Sequence, residues 1–303
     1  MKKSTLVPAL LLALALPALG VAQAAPVPTA ATTSERAAPR TPTLVAVNAS
    51  HSNGLDRVVF RFRGPLPQVR TGYVDRLIAD GSGRPVRVAG RAILQVRFEP
   101  ARAHTESGAA TNAPRRRAFN LPNVVTAVRS GDFEGVTTYG IGLARRASYT
   151  VTTLRNPSRV VVSIKADFPT TRQRVWFLDR DNFVDGAEPY FVPRFRRVLT
   201  ASPATGVMDR LYAGPTTREL AQGLRLVRSG TIGFDDLTIT GGTARVRLLG
   251  KCTSRGSTVT IAGSIIPTLK QFPSVDRVKV YDRAGTTVDP TGPGDSTPEC
   301  LEP

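Results

Sequence analysis

An all-β sandwich followed by an α+β domain is the architecture these 303 residues predict, and three observations carry it. The chain is 41% hydrophobic and 21% charged, an ordinary globular balance, and at ~150 residues per domain its length suits two cores. Between residues 44 and 166 apolar and polar residues alternate with a period of two. Between residues 171 and 284 such runs are interleaved with helical stripes.

In the first block, Val58, Phe60 and Phe62 fall on one face of a strand while Arg57, Arg61 and Arg63 fall on the other. Ile93 to Phe98 and Arg159 to Lys165 repeat the scheme. Antiparallel sheets with one wet face produce this alternation. Gly64-Pro65, Gly81-Ser82-Gly83 and Asn156-Pro157 punctuate the runs as turns. No helical stripe interrupts them, and an all-β sandwich follows.

The second block opens with Arg174 to Leu178 and Pro189 to Pro193, two strands joined around Asp185-Gly186. Val207 and Leu211 share the face of a short helix stopped by Gly214 and Pro215. Gly241-Gly242 turns tightly into the alternating Ala244, Val246 and Leu248. Ser257 is placed to cap a helix with the stripe Ile261, Ile265, Leu269 and Phe272, which Pro267 is expected to kink or shorten. Arg277 to Tyr281 supplies a last strand.

The termini differ in composition from both blocks. Residues 1–24 have the form of a secretory signal peptide: Lys2 and Lys3, a short apolar run from Leu6 to Leu19, and a small-x-small site at Ala22-Gln23-Ala24. The run is too short for a membrane span. Residues 25–43 are an Ala/Pro/Thr-rich spacer, and residues 285–303 a Pro/Gly-rich tail expected to be extended. Cys252 and Cys300 are the only two cysteines. In an exported chain an intramolecular disulfide is their default state, the alternatives being free thiols or a bond to another chain.

The search for chemistry yields little. Only His51 and His104 offer imidazoles, both in polar loops, and neither a Gly-x-Ser-x-Gly elbow nor a His-Glu-x-x-His pair occurs. Asp179, Asp181 and Asp185 fail the calcium-loop spacing, because counting from Asp181 puts Phe183 third and Val192 twelfth. Asp132 and Glu134 are expected on one strand face, and Gly140-Ile141-Gly142 continues into no dinucleotide fingerprint. No catalytic residue, cofactor or metal site is therefore expected. Lys+Arg 41 against Asp+Glu 23 gives a net charge of +18. The candidate ligand-binding residues are Arg115, Arg116 and Arg117 in a loop and Arg194, Arg196 and Arg197 after the hairpin. Guanidinium groups grip phosphate and carboxylate with paired bonds, though the same residues also suit a merely soluble surface.

These residues carry two resemblances. Asp56-Arg57-Val58-Val59-Phe60, Gly81-Ser82-Gly83, Gly131-Asp132-Phe133-Glu134-Gly135, Ile141-Gly142-Leu143 and Asn156 to Val162 resemble the AMIN-like domain of secreted actinobacterial proteins. Trp176-Phe177-Leu178, Tyr190 to Pro193, Leu211-Tyr212-Ala213-Gly214-Pro215-Thr216 with Glu219, and Thr268 to Val275 are similar to the GerMN domain of sporulation and germination proteins. Pro267 and the tail cysteine depart from that pattern. The first resemblance implies targeting to the cell wall, and the second a non-catalytic envelope module. The expectation is a secreted, wall-associated, non-enzymatic protein holding a cell-wall polymer or envelope protein, with no nucleic-acid partner. Self-association through the second domain, or activation of a peptidoglycan hydrolase, are the alternatives.

Overall fold

A computed structural model describes residues Arg40–Pro303. The signal peptide expected at 1–24 and nearly all of the spacer expected at 25–43 lie outside the described residues.

The first block is a sandwich of two antiparallel sheets. One has the order β1 (Thr43–Ser52), β2 (Leu55–Arg63), β11 (Arg159–Lys165), β10 (Tyr149–Leu154). The other runs β3 (Gln68–Val74), β6 (Ala92–Glu99), β9 (Val136–Leu143), β8 (Val124–Phe133), β7 (Arg116–Ala118). A small hairpin of β4 (Leu77–Ile78) and β5 (Pro85–Val86) lies between β3 and β6 in the chain. Asn53 and Gly54, both at positive φ, make the tight turn from β1 to β2 that right-twisted strands favour. The alternating faces meet in the core as predicted. Val58, Phe60, Leu94, Val96, Phe98, Val160, Val162 and Ile164 are fully buried, and Phe60 lies 4.9 Å from Phe98 and 5.2 Å from Tyr139, ring to ring.

Strand β9 departs from alternation, because all eight of its residues are buried. The segment carrying β4 and β5 crosses its outer face. Leu77 packs where a Cβ on Gly140 would sit 2.5 Å away, and the Ala89 carbonyl lies 2.0 Å from the corresponding point on Gly142. The two glycines of Gly140-Ile141-Gly142 therefore admit a third layer of backbone. Asp132 and Glu134 do not share a face either. Glu134 sits in the β8–β9 turn at positive φ, while Asp132 accepts hydrogen bonds from the Ala103 amide (2.7 Å) and the Thr137 hydroxyl (3.2 Å).

The second block has two three-stranded sheets. The first has the order β13 (Phe191–Leu199), β12 (Thr170–Asp179), β14 (Leu224–Arg225). The second runs β15 (Thr231–Thr240), β16 (Thr243–Gly250), β17 (Arg277–Tyr281), with β16 and β17 parallel. Helices α2 (Pro203–Ala213) and α4 (Ala262–Lys270) pack on β12, while α1 (Arg180–Val184) and α3 (Thr217–Ala221) are single turns in loops. Val175, Phe177, Val207, Leu211, Val246, Ile265, Leu269 and Val278 are fully buried in this core.

Two expectations are corrected here. Ser257 does not cap α4: its hydroxyl bonds Val259 within the preceding loop, and the helix begins after Ile261. Pro267 lies inside α4, which spans nine residues and ends at Lys270, before Phe272 of the expected stripe. Residues 285–303 fold back rather than extend away. Asp295 accepts the Val278 amide (2.8 Å), Ser296 exchanges backbone bonds with Val278 and Val280, and Leu301 is 4% exposed. The Cys252–Cys300 disulfide fastens this return.

Both edges of the β13-β12-β14 sheet are closed by side-chain amides. Gln271 accepts the Arg174 N–H (2.7 Å) and donates to the Arg174 carbonyl (2.7 Å). At the opposite edge Asn120, from the first block, accepts the Arg197 N–H (2.7 Å) and donates to the Phe195 carbonyl (3.1 Å). Each amide imitates one residue of a neighbouring strand.

Candidate functional site

Helix α2 joins the two blocks. Every residue from Val207 to Ala213 is buried, so the helix has no water-facing stripe and must be covered on both sides. Val207 and Leu211 face their own core, whereas Arg210, 2% exposed, enters the sandwich. Its guanidinium donates to the carbonyls of Phe119 (2.7 Å), Val124 (3.0 Å) and Leu121. Burial, followed by repulsion from Arg196, pulls its pKa down to about 10, so it remains charged at neutral pH. Ala118 and Val125 pack beside it against Ala213, and Ala118 bridges Thr216 as a short parallel pair.

At the position preceding Arg210, Asp209 accepts from Arg91 of the sandwich at 2.8 Å. Burial raises Asp209 to about 6, against the opposing pull of Arg91. Arg91 also lies over the Phe234 ring, 4.8 Å from its centre, and Phe234 stacks on Tyr212 at 5.9 Å.

A cleft of about 420 Å³ opens at this junction. The sandwich contributes Arg87, Arg91 and Arg116 to its walls, and the second block contributes Asp209, Tyr212, Arg228 and Phe234. A cavity of this size is typical of small-ligand sites. Arg91 is paired with Asp209, whereas among the described residues neither Arg116 nor Arg228 forms a salt bridge with a carboxylate. Arg116 donates to the Arg87 carbonyl (2.5 Å) and Arg228 to the Tyr212 carbonyl (3.3 Å). Burial first, then repulsion by Arg228 and Arg115, pulls Arg116 down to about 10. Two half-buried, uncompensated guanidiniums thus face one space, an arrangement that attracts anions.

Of the six arginines singled out from the sequence, Arg116 alone lines the cleft. Arg115 is spent on the carbonyls of Arg129 (2.6 Å) and Ser130 (2.9 Å). Arg117 bonds Asn112 (2.9 Å) and the Ala113 carbonyl. Arg194 turns back onto Pro193, and Arg197 lies on the exposed edge beside Asn120. Arg196 is buried and holds Glu219 by two bonds of 2.8 and 2.5 Å. That pair keeps Glu219 below the usual carboxylate range despite the burial that would raise it. Glu219 in turn closes a capping box with Thr216 on α3. Arg87, Arg91 and Arg228 escaped notice because none of them adjoins another arginine in the sequence. Only the meeting of the two blocks groups them.

The histidines lie elsewhere. His51 Nδ1 is 2.7 Å from Asp56, which also accepts the amides of Asn123 (2.8 Å) and Val124 (2.7 Å). His104 Nδ1 is 2.8 Å from Asp132. Both rings are about one-third exposed, and neither lines the junction cleft. Asp179, from the rejected calcium spacing, caps α1 by accepting the amides of Asp181 and Asn182.

Comparison with known proteins assigns both blocks. The AMIN-like domain matches residues 42–166. The Germane family, described as sporulation and spore germination, matches residues 174–287. The tandem GerMN domains of the sporulation protein GerM from Bacillus subtilis are 19% identical, covering 44% of this chain and 48% of that one, with a TM-score of 0.29. The chain thus spans about half the length of that solved chain. No curated protein matches. Among the described residues no helix is long and apolar enough to cross a membrane. The two domain types suggest a cell-envelope or sporulation-related protein. From residue 42 to 166 the chain is an AMIN-like domain, and from 174 to 287 it is a Germane domain.

Proposed function

We propose that this is a secreted, non-enzymatic envelope protein that holds anionic wall material, with its two domains acting as one body. The observation that carries the reading is the cleft shared by both domains, where Arg116 and Arg228 face the same space and, among the described residues, neither is in a salt bridge. Such a site favours retention of an anion by charge and paired hydrogen bonds. Support also comes from the histidines, each hydrogen-bonded to an aspartate away from the cleft. Among the described residues, the one titrating carboxylate in the cleft wall, Asp209, is engaged by Arg91 at 2.8 Å.

Co-sedimentation of the purified protein with bacterial wall sacculi tests the proposal. Retention at low salt that weakens as salt screens the charges is expected. A protein that stays in the supernatant at low salt defeats it, and release of soluble wall fragments during incubation would replace it with a hydrolytic role.

A further inference from the structure

Resting on that reading, we infer that the cleft between the two domains is a phosphate site, occupied by a phosphodiester unit of an anionic wall polymer, with Arg116 and Arg228 as its principal ligands.

The choice of phosphate over carboxylate follows from the shape of the charge. A planar carboxylate is satisfied by a single guanidinium fork, as Glu219 is by Arg196 and Asp235 is by Arg247. Arg116 and Arg228 approach from different domains and have no such partner among the described residues. A tetrahedral phosphate offers oxygens in more than one plane, so it can bridge two guanidiniums at once. Arg87, more exposed on the sandwich side, gives a third cation for a neighbouring phosphate of the same chain.

The rest of the cleft suits the connecting backbone of such a polymer. The Phe234 ring is taken up by Arg91 and Tyr212, but Ile232, 43% exposed, and Leu249 give the cleft an apolar wall. A sugar or alditol unit has C–H faces that pack on such surfaces. Asp209 is held by Arg91 and therefore does not oppose the incoming charge as a free carboxylate would.

The test uses the whole protein and short poly(glycerol phosphate) as the probe, with polygalacturonate as the carboxylate polymer and phosphatidylglycerol vesicles as the lipid form of the same headgroup chemistry. Titration calorimetry should show binding of poly(glycerol phosphate) that weakens at least about tenfold in Arg116→Gln and in Arg228→Gln, the loss expected when one charged hydrogen-bond donor is removed. Arg172→Gln, on the exposed face of β12, should bind as the parent does. A second readout needs no variant. In the parent protein, poly(glycerol phosphate) should protect Arg116 and Arg228 from phenylglyoxal, located by mass spectrometry, while Arg172 stays reactive. Equal affinity for polygalacturonate, unchanged binding in both cleft variants, or capture by the vesicles alone would overturn the assignment. If sacculi retain the parent and both variants equally, the phosphate site fails and wall binding stands. If protection occurs but sacculi retain nothing, the site stands and the wall reading fails.

Discussion

Replacing Arg210 with methionine should uncouple the two domains. Methionine keeps most of the side-chain bulk but leaves the carbonyls of Phe119, Leu121 and Val124 without the guanidinium. Hydrogen bonds from a charged donor contribute about 1.5–3 kcal/mol each. Against this stands the cost of burying the charge, visible in a pKa drawn down to about 10 and equivalent to about 3 kcal/mol. The net loss should be about 2–6 kcal/mol, concentrated at the junction. Guanidinium denaturation followed at Trp176, the sole tryptophan and a residue of β12, reports on the Germane domain, and far-UV circular dichroism reports on both. The parent should unfold in one transition with coincident probes, and Arg210→Met should separate the two midpoints. Coincident curves with a loss below ~1 kcal/mol would refute the idea that α2 locks the domains through this side chain.

Three further outcomes follow from other parts of the molecule. Asp209 is raised to about 6 in the folded chain, so its contribution is full below the ordinary carboxylate range and is lost as pH rises through about 6; the parent should lose up to about 3 kcal/mol relative to Asp209→Asn between pH 4 and 7. Glu219 is shifted the other way and loses its contribution on acidification, so the comparison must be made against the Asn variant by thermal melts, and a pH-independent difference would count against buried Asp209. Cys252→Ser with Cys300→Ser opens a closure of sequence separation 48 and should cost about 4 kcal/mol, with residues 285–303 becoming protease-sensitive; an unchanged melting temperature and digestion pattern would contradict it. Gly142→Ala places a methyl 2.0 Å from the Ala89 carbonyl and should cost about 2–3 kcal/mol, whereas Gly72→Ala, with nothing within 4 Å, should be near neutral in the same urea titration; equal effects would argue against the third backbone layer.

Much of the framework was legible because one-sided burial writes itself into alternation. Val58, Phe60 and Phe62 announced an inner face, and Arg277 to Tyr281 announced β17 with its correct bounds. Strand β9 was harder to read, since a strand covered on both sides loses its polar beat. The tail misled for a related reason: Pro, Gly and Thr carry no periodicity, yet Asp295 and Ser296 fasten it through hydrogen bonds to β17. Among the candidate arginines, local clustering was a poor guide. Adjacent residues such as Arg115, Arg116 and Arg117 diverge to different partners, while Arg116 and Arg228 converge from 112 positions apart.

Asn120 has a consequence for any attempt to study the Germane domain by itself. Excision would remove the amide that occupies the free margin of β13, leaving the Arg197 N–H and Phe195 carbonyl beside a half-exposed Phe195 ring. Such a raw margin recruits whatever strand it meets. Oligomers of the severed module would therefore record the wound of excision, and native stoichiometry has to be measured on a chain that keeps its own stopper.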